Sequence, residues 1–360
     1  MIERFEIAVA AEALDDLRRR LGATRWPAGV TDGGGLPLGE VAALVGYWRD
    51  EFDWRRQERR LNGCRHFRAH AGELRLHFIH EPAASGGAVP LLLLHGWPGS
   101  FVEMLGVLPL LQEFHVVVPS LPGYGFSDPP TAPGMSNERM ADLLAELMAT
   151  LGYERFAVQG GDWGAGIATW LARKHPARLL GMHLNYIPGS FAPHVAGDLA
   201  PEEEAFLRAR DEWSAESGVY GHVQRTRPLT LAYALADSPA GLAAWIVEKF
   251  REWADPASDL PLDELLTNVT LYWVTNTIAS SMRLYLESAR TPLRFGAGER
   301  LAVPCAVARF PLEAPFPPRR WVERAYAVRR WTEMPRGGHF AALEAPDLLA
   351  ADVTAFLRSL

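Results

Sequence analysis

The sequence predicts an α/β fold, with a mostly parallel central sheet, helices on both faces and a block of helices inserted late in the chain. Three features point to it. Pro90-Leu91-Leu92-Leu93-Leu94 is a continuous apolar run of strand length, as a parallel strand buried on both faces requires. Strand and helix patterns then alternate up to residue 187, which implies right-handed parallel crossovers. From Pro188 to about Gly298 the alternation stops and only helical patterns remain, before a strand signal returns at Val303 to Ala308.

The elements follow in order. Residues 1–88 read as a leader. Leu14 to Leu21 is helical in pattern and Trp26-Pro27 ends it. Gly33-Gly34-Gly35 marks a loop, and a second helix runs from Gly39 to about Phe52. Leu74 to His80 alternates apolar and polar as a strand does. The core begins at Val89. After the Pro90–Leu94 strand come His95-Gly96-Trp97-Pro98, a helix near Val102 to Leu111, and a strand at His115 to Val118. A glycine-proline loop spans Ser120 to Pro130, and a helix runs from Asn137 to Leu151. The strand Phe156-Ala157-Val158 leads through Gly160-Gly161-Asp162-Trp163-Gly164 into a helix from Ala165 to Lys174. The inserted block, 188–298, reads as helices at Glu202–Ala215, Thr230–Ala236, Gly241–Trp253 and Leu262–Met282. Residues 299–360 complete the core. Trp321 to Arg324 is a short strand-like piece, Trp331 to Met334 the last strand, and Leu348 to Leu357 the closing helix.

Composition narrows the function classes. The chain has 360 residues, 48% hydrophobic and 22% charged, enough to bury a large core. A formal net charge of -7 speaks against nucleic acid and anionic membranes as partners. Met1 to Glu6 lacks the basic flank and apolar region of a signal peptide, and no run approaches the roughly 20 apolar residues of a membrane helix. Cys64 and Cys305, far apart, support no disulfide framework. A cytoplasmic location without a membrane anchor is expected.

The chemistry concentrates at Asp162. Small residues two before and two after it, between a strand and a helix, form the nucleophile elbow of α/β-hydrolases, with Asp in the usual place of Ser. The turn is sharp, and larger side chains would collide with neighbouring backbone. A carboxylate attacks amides and esters poorly, but it displaces a leaving group from saturated carbon and leaves an ester that water can cleave. The expected substrates are therefore epoxides or alkyl halides. The helix N-terminus favours the ionised form of Asp162. Asp is also a common helix N-cap, but the flanking glycines and the motifs below favour the nucleophile.

The remaining parts are read by position. The backbone N–H groups of Trp97 and Trp163 are the expected oxyanion hole, while His95 is structural. His339, in Gly337-Gly338-His339-Phe340, stands where the fold carries its histidine, as general base for water. Glu313, in a proline-hemmed loop after the Val303–Ala308 strand, is the chosen acid partner, with Glu299, Glu323 and Glu333 as competitors. Ring opening leaves an alkoxide, so a proton donor must face Asp162. Tyr220, Tyr233, Tyr272 and Tyr285 are all candidates.

Other signals carry less. Gly123-Tyr124-Gly125 lacks the third glycine and acidic partner of a dinucleotide loop, and no cofactor is expected. Cys64, His66, His70, His77 and His80 match no familiar zinc spacing, and no metal is expected. The twelve tryptophans are assigned to contacts among leader, core and insertion, apart from Trp97 and Trp163. Glu202-Glu203-Glu204 reads as the solvated first turn of a helix.

The whole pattern resembles the microsomal-type epoxide hydrolases, which include the juvenile hormone epoxide hydrolases of insects. The likeness runs along nearly the full length. In the leader it rests on Leu14-Asp15-Asp16-Leu17-Arg18, Thr24-Arg25-Trp26-Pro27, Asp53-Trp54-Arg55 and Leu61-Asn62. In the core it rests on His95-Gly96-Trp97-Pro98-Gly99-Ser100 and Gly160 to Gly164. In the insertion it rests on Ser238 to Ile246 and Leu266-Thr267-Asn268, and near the end on Phe310-Pro311-Leu312-Glu313 and Arg336 to Ala342. The resemblance implies an α/β-hydrolase fold with a helical lid and a leader that wraps core and lid. By position it puts the nucleophile on Asp162, the acid on Glu313, the base on His339 and the two lid tyrosines on Tyr220 and Tyr285. The membrane anchor of the mammalian enzymes has no counterpart, so a soluble bacterial-type member is implied. The expected reaction takes a small apolar epoxide and water to a vicinal diol, without cofactor, and a homodimer is compatible with it. A haloalkane dehalogenase shares Asp-Trp-Gly, but has no need for two lid tyrosines. A non-catalytic receptor for a small ligand has no need for the full set of nucleophile, acid and base. A serine esterase is excluded at the elbow, which holds no Ser.

Overall fold

In the computed structural model, which describes residues 1–29 and 33–360, nine strands among those residues form one sheet. They are β1 (Ile2–Arg4), β2 (His66–Ala71), β3 (Leu74–Glu81), β4 (Pro90–Leu94), β5 (His115–Pro119), β6 (Phe156–Gly160), β7 (Leu179–Leu184), β8 (Pro304–Arg309) and β9 (Ala327–Glu333). Their spatial order is β1-β2-β3-β5-β4-β6-β7-β8-β9. From β5 to β9 every neighbouring pair is parallel, while β1, β2 and β3 join antiparallel at one edge. The central strands are mostly apolar because helices cover both faces. Every residue of β5 and β6 is buried, and so are Leu91 to Leu94 of β4.

The strand order fixes where a site can form. The chain leaves β4 toward β5 on one side, then crosses over through the helix Asn137–Thr150 to place β6 on the other side of β4. The loops after β4 and β6 therefore diverge, and a crevice opens at their carboxyl ends. His95-Gly96-Trp97 and Gly161-Asp162 occupy that crevice.

Several elements differ from the sequence reading. The helix expected near Val102 to Leu111 is two 3-10 turns, Phe101–Gly106 and Leu108–Leu110, with Pro109 supplying no N–H to continue an α-helix. The helix expected over Leu262–Met282 is two helices, Leu262–Thr275 and Ile278–Ser288. Asn276 between them has φ 51°, a left-handed conformation that Asn tolerates at a helix end. Trp321 to Arg324 is not strand-like but lies in a short helix, Arg319–Glu323, entered through Pro318. β9 starts four residues earlier than Trp331. The helix Trp54–Leu61, capped by the Asp53 side chain, and β1, β2 and β7 went unread.

The first 88 residues contribute β1 to β3 to the central sheet and send three helices over the inserted block. Trp48 Nε1 donates to Thr270 Oγ1 at 2.9 Å, Tyr47 OH to Asp263 Oδ1 at 3.0 Å and Gln57 Nε2 to Asp263 Oδ2 at 3.2 Å. Arg60 pairs with Glu264 through both guanidinium nitrogens. The histidines of this region form a buried chain. The His66 and His77 rings meet at 2.9 Å and His77 Nδ1 meets Ser120 Oγ at 2.8 Å, while His66 Nε2 donates to the Leu61 carbonyl at 2.8 Å. Burial pushes both imidazoles below their usual range, so they serve as neutral hydrogen-bonding links in the core. No single helix among the described residues is long and apolar enough to cross a membrane.

Candidate active site

Asp162 is the first residue of the helix Asp162–Lys174, directly after β6. Its φ is +45°, a strained value for a residue with a side chain, and such strain persists where surrounding structure enforces it. Gly160 and Gly164 make room for the surroundings to press that close. A Cβ on Gly160 would overlap the Gly164 backbone, and one on Gly164 would overlap the Leu94 carbonyl, so the helix can press this close to β4 only with hydrogen at both places.

The carboxylate is held by two backbone N–H groups. The Trp97 N–H donates to Asp162 Oδ1 at 2.8 Å, and the Trp163 N–H also bonds the carboxylate. Both groups expected to form the oxyanion hole therefore face one carboxylate. Burial pushes the Asp162 pKa up. His339 and the two backbone N–H groups pull against that, and the net direction is upward from the usual aspartate range. The helix N-terminus alone, as argued from sequence, did not include that desolvation. His95 stands behind the loop. Its Nε2 accepts from the Leu121 N–H at 3.1 Å, and burial lowers its pKa to about 4, so it stays neutral and pins two loops.

His339 approaches from the other half of the core. Its backbone N–H donates to the Trp253 carbonyl at 3.0 Å. Its Nδ1 lies 2.8 Å from Glu313 Oε2, and its Nε2 lies 3.6 Å from Asp162 Oδ2. Burial pulls the imidazolium down, but Glu313, by charge and by hydrogen bond, and then Asp162 and Glu103 overcome it and hold the pKa at about 9. The competing acids are occupied elsewhere. Glu299 pairs with Arg173, Glu323 with Arg319 and Glu333 with Arg309.

The inserted helices close the crevice. Tyr220 sits on the helix Val219–Thr226, which the sequence pattern does not predict, and Tyr285 on Ile278–Ser288. The Tyr220 ring stacks on Trp97 with centroids 5.4 Å apart, and Tyr285 meets Trp163 edge-on at 4.6 Å. The two tyrosine rings lie 5.9 Å apart, and burial holds both phenols protonated. Tyr233 is 72% exposed, and Tyr272 donates its hydroxyl to the Gly99 carbonyl at 2.8 Å, so neither serves the cavity. A cavity of about 510 Å³ is lined by Asp162, Tyr186, Trp213, Tyr220, Trp253 and His339. A second, of about 300 Å³, runs past Asp162, Trp163, Tyr220 and Tyr285.

Some site residues were missed in the sequence. Glu344 accepts from the N–H groups of Gly338 (2.9 Å), Phe340 (2.7 Å) and Asp255 (2.6 Å), clamping the loop on both sides of His339. Trp253 meets the His339 ring edge-on with centroids 5.1 Å apart, and Tyr186 meets it at 5.9 Å. Glu103 lies beneath the crevice. Its only sequence signal is Ser100-x-x-Glu103, the spacing of a helix capping box.

This geometry coincides with clear relatives. The model described as Epoxide hydrolase N terminus matches residues 2–104, and that of the alpha/beta hydrolase fold matches residues 89–275. A Stigmatella aurantiaca relative, provisionally assigned to the epoxide hydrolases, is 46% identical over 100% of this chain and 85% of its own length. The chain belongs to the epoxide hydrolase family. Epoxide hydrolase 1 of Sus scrofa is 37% identical over 99% of this chain and 88% of its own. The solved Aspergillus niger epoxide hydrolase superposes with a TM-score of 0.90 at 30% identity, covering 100% of this chain and 96% of that one. The epoxide hydrolase likeness thus takes in the leader, the core and the inserted helices together.

Proposed function

We propose that the protein opens small apolar epoxides to vicinal diols through a covalent ester on Asp162. The observation that carries this reading is a carboxylate bonded by the Trp97 N–H on Oδ1 and by the Trp163 N–H, with His339 next to Oδ2 and two protonated tyrosines lining a cavity that Asp162 also lines. Oδ2 is the free attacker. It forms a bond to an epoxide carbon as the ring C–O bond breaks, and the electron pair goes to the ring oxygen. Tyr220 and Tyr285 hydrogen-bond that oxygen and supply its proton.

Water then attacks the Asp162 carboxyl carbon. Its proton passes to His339 Nε2, whose ring Glu313 orients through Nδ1. Negative charge gathers on Oδ1, which the Trp97 N–H already faces, with the Trp163 N–H on the same carboxyl group. The ester C–O bond breaks, the leaving alkoxide takes the proton from His339, the regenerated Asp162 carboxyl gives up its remaining proton to restore the tyrosine, and the diol departs. Residues 188–298 act as the lid of the cavity, residues 1–88 as the extension behind it, and 89–187 with 299–360 as the hydrolase core. The free thiols of Cys64 and Cys305 support a cytoplasmic setting.

The test is isotopic. After many turnovers in water labelled with heavy oxygen, the peptide holding Asp162 should gain mass, because hydrolysis at the carboxyl carbon exchanges its oxygens. Product formed with no label in the protein means that water attacks the epoxide directly, and the covalent reading falls. One observation favours a second reading. The Trp163 indole N–H is buried without a partner, as a halide-binding group would be. Halide release from chloro- and bromoalkanes, measured beside diol formation, decides it. The two tyrosines support the epoxide.

A further inference from the structure

Glu103 has no part in the steps above, yet its carboxyl is directed at them. It sits on the 3-10 turn Phe101–Gly106 with Ser100 as N-cap, and the Ser100 N–H bonds its carboxylate. That contact curls the side chain back over the His95–Ser100 loop. A Cβ on Gly99 would coincide with Glu103 Oε1, so the loop can accept the carboxyl there only because residue 99 has no side chain.

The space beyond is small and polar. A chamber of about 20 Å³ lies beneath Asp162, separate from the two large cavities, with Glu103, Gln159, Asp162 and His339 among its walls. That volume suits one water molecule, given two or more polar partners. The Gln159 Oε1 atom is fully buried and has no hydrogen-bond partner, the mark of a wall that faces water. Glu103 and His339 line the chamber together and interact by charge, while the imidazole pairs directly with Asp162 and Glu313.

We propose that Glu103 positions the hydrolytic water: one O–H of a water in this chamber donates to the Glu103 carboxyl, the other to His339 Nε2, and a lone pair is left facing the Asp162 carboxyl carbon. Glu103 takes no proton in this step. The proton moves to His339, and the new bond forms between the water oxygen and that carbon. Electrostatics favours the timing. Burial pushes the Glu103 carboxyl up to about 8; His339 opposes this and the charge on Asp162 adds to it. Esterification removes the Asp162 charge, so Glu103 becomes a better acceptor when water is needed.

This inference rests on the covalent ester proposed above, and one experiment separates the two. Rapid mixing with an epoxide, followed by intact-protein mass and tryptophan fluorescence, gives the rates of ester formation and ester hydrolysis. Glu103→Gln keeps the size and capping of the turn. It should slow hydrolysis on the order of 10²-fold, leave ester formation nearly unchanged and cause ester to accumulate. Glu103→Asp, which keeps a carboxyl but withdraws it, should show the same split to a smaller degree. Equal loss of both rates, or unchanged hydrolysis in both variants, overturns the role of Glu103 and leaves the ester mechanism standing. Absence of any ester in wild type and variants while diol still forms overturns both.

Discussion

His339 Nε2 stands 3.6 Å from Asp162 Oδ2, too far for a good hydrogen bond and close enough for a strong charge interaction. The separation suits two successive tasks. In the proposed mechanism the resting imidazolium steadies the attacking carboxylate. Once Oδ2 carries the alkyl group that charge is gone, the ring gives up its proton more easily, and the neutral imidazole can take one from water.

His339→Gln should therefore divide the reaction in two. Ester formation should continue at a reduced rate, and diol release should stop. One equivalent of substrate mass should remain on the protein, located to the Asp162 peptide by digestion and mass spectrometry.

The tyrosines should act on the first half only. Tyr220→Phe or Tyr285→Phe each removes one hydroxyl from above the epoxide oxygen, and ester formation should slow by roughly 10- to 100-fold in each. The double variant should lose nearly all alkylation. Single-turnover rates check this, and an unchanged rate in both single variants excludes the pair as proton donors.

The His339 pKa of about 9 in the free protein lies above the usual histidine value near 6.5. A raised folded-state value stabilises the fold in full below about pH 6.5, and that contribution is lost as pH rises through about 9. Thermal unfolding should therefore show a falling Tm across this window, with a flatter profile in Glu313→Gln. Ester hydrolysis needs the neutral ring. Alkylation removes one of the charges that hold the ring's pKa up, so the hydrolysis rate should rise with pH and level off below pH 9.

Glu344→Ala tests the loop rather than the chemistry. It strips three backbone N–H groups of their acceptor, including those of Gly338 and Phe340 on either side of His339. A stability loss of about 3 kcal/mol is expected from buried donors left unpaired. Urea unfolding gives that number, and kcat should fall more than KM changes because the histidine, not the substrate cavity, is displaced.

Much of this was legible in the chain because the chemistry is local there. The elbow needs small residues at fixed distances from Asp162, and the apolar run of β4 needs a sheet buried on both faces. Glu313 is favoured in the sequence by its place after the Val303–Ala308 strand and by the resemblance; the fold adds the contact with His339 and the arginine partners that occupy Glu299, Glu323 and Glu333. The helix bearing Tyr220 is eight residues long and fully buries only Gln224, so it leaves almost no periodic signal. Asn276 breaks a long apolar pattern through one backbone angle, to which periodicity is blind. Glu103 reads as a capping residue because that is half of what it does.

The grip of the first helices on the inserted block has a practical outcome for protein engineering. Trp48, Tyr47, Gln57 and Arg60 all bond to one helix, Leu262–Thr275, and the next helix in the chain carries Tyr285. The cover of the cavity is therefore not an interchangeable part. A chimera that imports the cover of a distant homologue must import residues 1–62 with it, or Tyr285 will be hung from a hinge that has lost its anchor.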